Sequence, residues 1–396
     1  MINVFTETKR CLQCKVPMCQ KGCPISTNVP AVIRALEQSS LDDAGQILFD
    51  NNPLSLVCSL VCDHEKQCEG HCVLNHKGAP ILFGDIENYI SDAYFDKMPI
   101  VKNAKNHKKV AIIGSGPAGI TISATLAKMG YDVTIFEAKS DLGGVLRYGI
   151  PEFRLPKKIL DRYHKKLIEA GVKIRFNTTI GGALKIDDLF RDGYKSIFVG
   201  TGTWRPKSLG IKGESLGNVN FAIDYLASPD TFTLGDTLLI IGVGNAAMDV
   251  ARTALRHGVK HVMMTSLSDE IAASEKEADG AKLEGAQFLY FKRPVEIDDE
   301  GVVFIDELTN TTEHIDADSI IISISQDPKD KLVSTTVGLK ANAKGLLETD
   351  AQGHTTLPGI FAAGDVVMGA KTVVEAVNQA KVVAANMDAY MQELDM

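Results

Sequence analysis

Beyond Cys72 the 396-residue chain has no cysteine, so more than 300 residues lack both a disulfide framework and a redox dithiol. Aromatic residues are scarce, at 6% with a single tryptophan, and no apolar run approaches the ~20 residues that cross a bilayer. The first residues, Met-Ile-Asn-Val-Phe-Thr-Glu, lack the basic and apolar regions of a secretory signal. These absences predict a cytoplasmic protein with no membrane partner, in a compartment where thiols stay reduced. An excess of positive charge is also missing. A net charge of −8 and a pI near 5.7 argue against a nucleic-acid or anionic-membrane surface, and the basic stretch 105–109 reads as a solvated linker. What is present is glycine, 34 residues of it, and 45% hydrophobic content, the composition of an α/β protein rich in tight turns.

All eight cysteines fall in two clusters, Cys11-x2-Cys14-x4-Cys19-x3-Cys23-Pro24 and Cys58-x3-Cys62-x5-Cys68-x3-Cys72. Cysteines used as small hydrophobes scatter along a chain, so this grouping signals ligation or bridging. The Cys-x2-Cys opening and the Cys-Pro close favour iron–sulfur ligation, since bacterial ferredoxin runs end that way. Structural zinc is the rival, because Cys-x2-Cys pairs are also zinc knuckles. Disulfides come third, as nothing marks a secreted chain. Helical patterns after Pro30 and over 85–95 flank these clusters. So few helices predict a small core that leans on bound metal for stability. A polar, basic change between Met98 and Lys109 marks a boundary.

The periodicity then changes. Lys109-Val-Ala-Ile-Ile reads as a strand entering Gly114-Ser-Gly116-Pro117-Ala118-Gly119, followed by a helix from Ile120 to Met129. A second strand, Asp132–Phe136, ends at Glu137, 18 residues after Gly119. A strand, glycine turn, helix, strand and acid in this order form a dinucleotide fingerprint. The first glycines admit the pyrophosphate, the third packs helix on strand, and the helix N-terminus favours the phosphate charge. Glu137 is placed to accept from a ribose hydroxyl. About 130 residues on, strand 237–241 enters Gly242-Val-Gly244-Asn245-Ala246-Ala247, then a helix from Met248 and strand 261–265. Here Ala247 replaces the third glycine. Thr265-Ser266-Leu267-Ser268 offers neither the usual acid for an NAD ribose nor an arginine for the NADP phosphate, while Asp269 and Glu270 follow slightly late as alternative acids. The missing arginine tilts the expectation to NADH, with NADPH as the alternative. Near the C-terminus, Gly359-Ile-Phe-Ala-Ala-Gly364-Asp365 and a helix from about Thr372 read as the distant half of a flavin site.

Together these segments resemble the glutamate synthase small-subunit family of FAD and iron–sulfur oxidoreductases, a similarity that extends to the N-terminal electron-transfer region of dihydropyrimidine dehydrogenases. It is carried by Arg10-Cys11-x2-Cys14, Cys19, Cys23-Pro24, Val61-Cys62, Cys68-Glu69-Gly70-x-Cys72, the loop 110–119, Gly143-Gly144 with residues 148–156, and Ala362-Ala-Gly-Asp365. Ser274-Glu-Lys-Glu277 and Lys371-Thr-Val-Val374 point to the branch of small subunits of bacterial NAD-dependent dihydropyrimidine dehydrogenases. The resemblance implies two [4Fe–4S] clusters. One would take Cys11, Cys14, Cys19 and Cys72. The other would take Cys23, Cys62, Cys68 and a fourth ligand near Glu87, leaving Cys58 a bystander. It also implies FAD against Gly114–Gly119, Glu137, Gly144, Arg147, Gly364, Asp365 and Thr372, and NAD(P)H against Gly242, Gly244 and Asn245–Ala247.

The expected architecture is α/β: a helical iron–sulfur domain over 1–105, then two Rossmann-like nucleotide-binding domains. The FAD-binding domain, 106–212 and 327–396, is interrupted by an NAD(P)H-binding domain at 213–326. With two nucleotide folds and no dithiol, a thioredoxin-reductase mechanism is excluded and electrons need another outlet, which favours iron–sulfur over zinc. No stretch remains for a separate substrate site. The expected function is therefore an electron-input subunit that oxidises NAD(P)H for a catalytic partner subunit, of dihydropyrimidine dehydrogenase type. A glutamate synthase-like or flavin-bifurcating module is the alternative, and a zinc-containing nucleotide-binding structural protein is the rival of another class.

Overall fold

The computed structural model describes residues 3–99 and 103–394, so residues 100–102, within the boundary region between Met98 and Lys109, lie outside the described part. The chain divides into two compact units. The first comprises Met1–Leu146, Phe153–Thr203 and Pro328–Met396; the second comprises Arg147–Glu152 and Trp204–Asp327.

In the first unit, five parallel strands form a sheet in the order 360–362, 194–199, 109–113, 132–136, 173–175. Short runs such as Val110–Ile113 are buried almost completely, which is why they read as continuous apolar stretches rather than alternating ones. The helix Pro117–Lys128 begins three residues before the sequence pattern suggests. Its proline occupies the first turn, where no backbone N–H is needed. The 21-residue helix Val373–Glu393 packs along it and is tied down where Tyr131 donates to Asp388 at 2.6 Å.

The N-terminal helices belong to this same unit and bury more than the sequence reading expects. Ile33, Leu48, Leu54, Leu56, Ile86, Ile90 and Phe95 are each under 2% exposed. Phe95 also packs on Tyr163 at 4.5 Å between ring centroids, and Arg162 is paired with Asp92 and Asp96. Part of the helical core is thus supplied by the neighbouring nucleotide fold, a contribution that a count of helices misses.

The second unit repeats the theme with a parallel sheet in the order 219–221, 319–322, 237–241, 261–265, 287–289. A separate antiparallel sheet of three strands spans 292–297, 301–306 and 312–316. No helix of the described residues is long and apolar enough to cross a membrane.

Candidate functional site

The cysteines border two adjoining cavities. Cys11, Cys14, Cys19 and Cys72 line the first together with Cys68 and an apolar wall that includes Met18, Val29 and Phe83. Cys23, Cys58, Cys62 and Cys68 line the second together with Glu87 and His64, and Cys68 and Phe83 border both. Local backbone sets this interleaving. Gln13, with φ of 49°, turns the chain between Cys11 and Cys14. Cys23 and Cys62 each follow the last turn of a short helix. Gly70 lets Cys68 and Cys72 fold back together, because a Cβ there would stand 1.8 Å from the Glu65 carbonyl oxygen. Arg10 fastens the first cysteines in place by donating to Glu7 and to the Ala79 carbonyl, both at 2.6 Å.

Burial raises the pKa of Cys11, and pushes Cys19 to about 11 with neighbouring cysteines adding to the effect. The Cys62 thiol is raised by its hydrogen bond with Cys58 and then by burial, and Cys68 by burial and then the negative charge of Glu87. Glu87 is not a surface acid but fully enclosed, and burial lifts it to about 7 although Ser55 donates to it at 2.6 Å. Acids that oppose one another's ionisation in this way need a cationic group among them to become ligands. Among the described residues no three His, Cys, Asp or Glu side chains converge on a point as a single ion requires. A tetrahedral zinc site gathers four donors within ~2.3 Å of one ion. Thiols from both sequence clusters line one cavity, a donor set that can serve the several metal atoms of an iron–sulfur group. His71 packs over Gly22 with its Nδ1 2.7 Å from the Gln67 carbonyl, while Cys58, expected as a bystander, borders the second cavity.

The first glycine loop is built for close backbone approach. Gly114, at φ of 99°, passes so near Gly200 that a Cβ would be 2.5 Å from its oxygen, and a Cβ on Gly119 would be 2.0 Å from the Gly114 oxygen. Gly116 faces open space and precedes the helix from Pro117, whose first turn has no side-chain cap. Glu137 is buried; one carboxylate oxygen accepts from the Ser115 N–H and O–H at 2.9 and 2.6 Å, the other from the Lys139 N–H at 2.8 Å. Gly144, at φ of 53°, stands against Gly116, and Gly364 stands against Ala118. Residues 246 positions apart thus meet at one helix terminus.

Asp365 accepts from the Lys371 N–H at 3.2 Å, and burial lifts its pKa to about 6. Thr372 caps the helix Val373–Glu393, its hydroxyl oxygen accepting from the Glu375 N–H at 3.4 Å while the Glu375 carboxylate accepts from the Thr372 N–H at 3.0 Å. Two residues on, Val374 lines the second cysteine cavity. Sequence spacing gave no sign of this adjacency.

In the second unit Gly242, at φ of 126°, lies against Ser323, and Gly244 faces open space ahead of the helix Asn245–Arg256. Ala247 is fully buried in the place of a third glycine, and Ala246 stands beside it in the same first turn. Asn245 accepts from the Ser274 N–H at 3.0 Å, so the 274–277 motif anchors the loop and begins the next helix. The turn after strand 261–265 folds on itself, with Ser266 accepting from the Ser268 N–H at 3.3 Å. Arg147 belongs to this second unit.

Residues 2–98 match the family described as dihydropyrimidine dehydrogenase domain II, 4Fe-4S cluster, and residues 73–189 and 182–380 match pyridine nucleotide-disulphide oxidoreductase. The chain is 33% identical to the NAD-dependent dihydropyrimidine dehydrogenase subunit PreT of Salmonella typhimurium, over 98% of this chain and 94% of that protein. It is 30% identical to the glutamate synthase [NADPH] small chain of Halomonas elongata, over 95% and 88%. Among solved structures, T. acidophilum thioredoxin reductase superposes with a TM-score of 0.60 at 21% identity, over 73% of this chain and all of that one. That likeness is one of fold.

Proposed function

The chain belongs to the pyridine nucleotide-disulphide oxidoreductase family, as an NAD(P)H-dependent oxidoreductase with flavin and iron–sulfur domains, and on that premise we propose that it is the electron-input subunit of a dihydropyrimidine dehydrogenase-type complex. When bound, FAD would accept hydride from NAD(P)H, and two [4Fe–4S] clusters would pass the electrons on singly. The loop Gly114–Gly119 and the helix from Pro117 would hold the pyrophosphate, with Glu137 keeping the loop closed through Ser115. Asp365 and the terminus at Thr372 would hold the distant part of FAD. The loop Gly242–Ala247 in residues 213–326 would hold the nicotinamide nucleotide. Cys11, Cys14, Cys19 and Cys72 would bind one cluster, and Cys23, Cys62, Cys68 and Glu87 the other.

One observation carries this reading: a single helix start borders both the Asp365 loop and, through Val374, the second cysteine cavity. On this reading the electron outlet would lie beside the flavin, and no cysteine after Cys72 offers a dithiol in its place.

The test is anaerobic turnover. The isolated chain should oxidise NADH with a one-electron dye and leave uracil untouched; the complex with its co-purifying subunit should reduce uracil. Absence of dye reduction with either nicotinamide would overturn the reading. Because Thr265–Ser268 carries no arginine, NADH should exceed NADPH. The double variant S266R/S268R should move that preference toward NADPH by roughly tenfold, the scale of one charge-assisted contact. An unmoved ratio would locate ribose recognition elsewhere.

A further inference from the structure

The C-terminal helix presents a cation to the second cysteine cavity by way of two polar side chains. Lys381 lies seven residues, or about two turns, beyond Val374 and so shares its face. Its ammonium donates to Asn51 Oδ1 at 2.7 Å, across 330 residues of sequence. That contact fixes the orientation of the amide, since an ammonium can only donate. Asn51 Nδ2 is thereby turned toward residues 25–27, where it donates to Thr27 Oγ1 at 3.1 Å and to the Ile25 carbonyl at 3.2 Å. Thr27 is buried, and its Oγ1 stands 3.4 Å from Cys23 Sγ. A hydroxyl that accepts from an amide keeps its own proton to give, and a sulfur that ligates as thiolate has none. The Thr27 O–H therefore points at Cys23 when Cys23 is a ligand.

We propose that Lys381, acting through Asn51 and Thr27, is a positioning residue that directs a hydrogen bond and a positive charge onto Cys23 and so raises the reduction potential of the second cluster. The inference rests on the reading of Cys23 as a cluster ligand. Reduction adds one negative charge to the cluster, and a fixed cation and a donor on a ligand sulfur both favour that state. Independently of the hydrogen bonds, negative charge on Cys23 acts on Lys381, opposing the burial that lowers its pKa. The remaining residues of the proposed mechanism make no use of this chain of contacts, which begins on the flavin-domain helix and ends at a cysteine.

The experiment is a redox titration of the full chain, loaded with FAD and iron, followed by electron paramagnetic resonance. Cys62→Ser assigns which signal belongs to the second cluster. Lys381→Gln should make reduction of that cluster about tenfold less favourable, about 59 mV for a one-electron couple, and leave the first cluster unmoved. Lys381→Arg should restore the wild-type value. An unmoved second potential, or an equal shift in both clusters, overturns the proposal. If Lys381→Gln fails to retain flavin, Asn51→Ser carries the test by releasing the ammonium without removing it: a smaller fall is expected, and none is contradictory. A wild-type chain holding fewer than two clusters overturns the proposal together with the reading beneath it. Two clusters with unmoved potentials overturn the proposal alone.

Discussion

Cys62→Ser should remove about half of the iron and leave FAD bound. A serine hydroxyl is not ionised near neutral pH and cannot replace a thiolate donor. Cys62 ends the helix Ser55–Val61 and faces the cavity shared by Cys23, Cys68 and Glu87. Without its metal, that cavity holds buried acids with no cation to satisfy them, so the N-terminal helices should also melt earlier. FAD should remain, because the loop Gly114–Gly119 and its Glu137–Ser115 contacts do not pass through Cys62. Cys58 lies one helical turn back and is hydrogen-bonded to Cys62. Cys58→Ser should therefore leave the iron content unchanged. Iron and flavin analysis of the two variants checks this. Full iron in Cys62→Ser would contradict the ligand assignment, and lost iron in Cys58→Ser would show that Cys58 is no bystander.

Gly119→Ala should abolish tight flavin binding. The new methyl would stand 2.0 Å from the Gly114 oxygen, a separation that no rotamer relieves, since the atoms concerned are backbone and Cβ. Either the helix moves off the strand or the loop opens, and both would spoil the proposed pyrophosphate site. Overpacking of this kind costs about 1–3 kcal/mol, so flavin should bind roughly 10–100-fold more weakly by the usual tenfold per 1.4 kcal/mol. Gly116→Ala makes the useful contrast. Nothing lies within 4 Å of its Cβ position, so folding should be spared while the methyl occupies the open face where phosphate would approach. Thermal melting and flavin content separate the two outcomes. A Gly119→Ala chain with full flavin would place the nucleotide elsewhere.

Much of this organisation is written locally in the sequence. Strand 109–113, the glycine turn and strand 132–136 can be read from a short window, because apolar runs and glycine needs are properties of neighbouring residues. The grouping of the cysteines in two clusters is likewise legible without any structure. Contacts between distant segments are not written that way. Nothing in the spacing shows that Gly364 meets Ala118, that Cys68 borders both cavities, or that Lys381 reaches Asn51. Glu137 shows the same limit: its position after strand 132–136 is legible, yet its hold on Ser115 depends on how the loop folds back. The antiparallel sheet over 292–316 also escaped the sequence reading. Its strand 292–297 carries a proline and an irregular register, which break the alternation that marks a strand.

The most direct test of the central claim is an anaerobic absorption spectrum of the isolated chain, recorded before and after NADH with metal content measured in parallel. One FAD and about eight irons per chain are expected, as two four-iron clusters require, with broad blue-region absorbance that bleaches on NADH addition. A colourless protein containing zinc, or a flavin that bleaches in a chain devoid of iron, would contradict it.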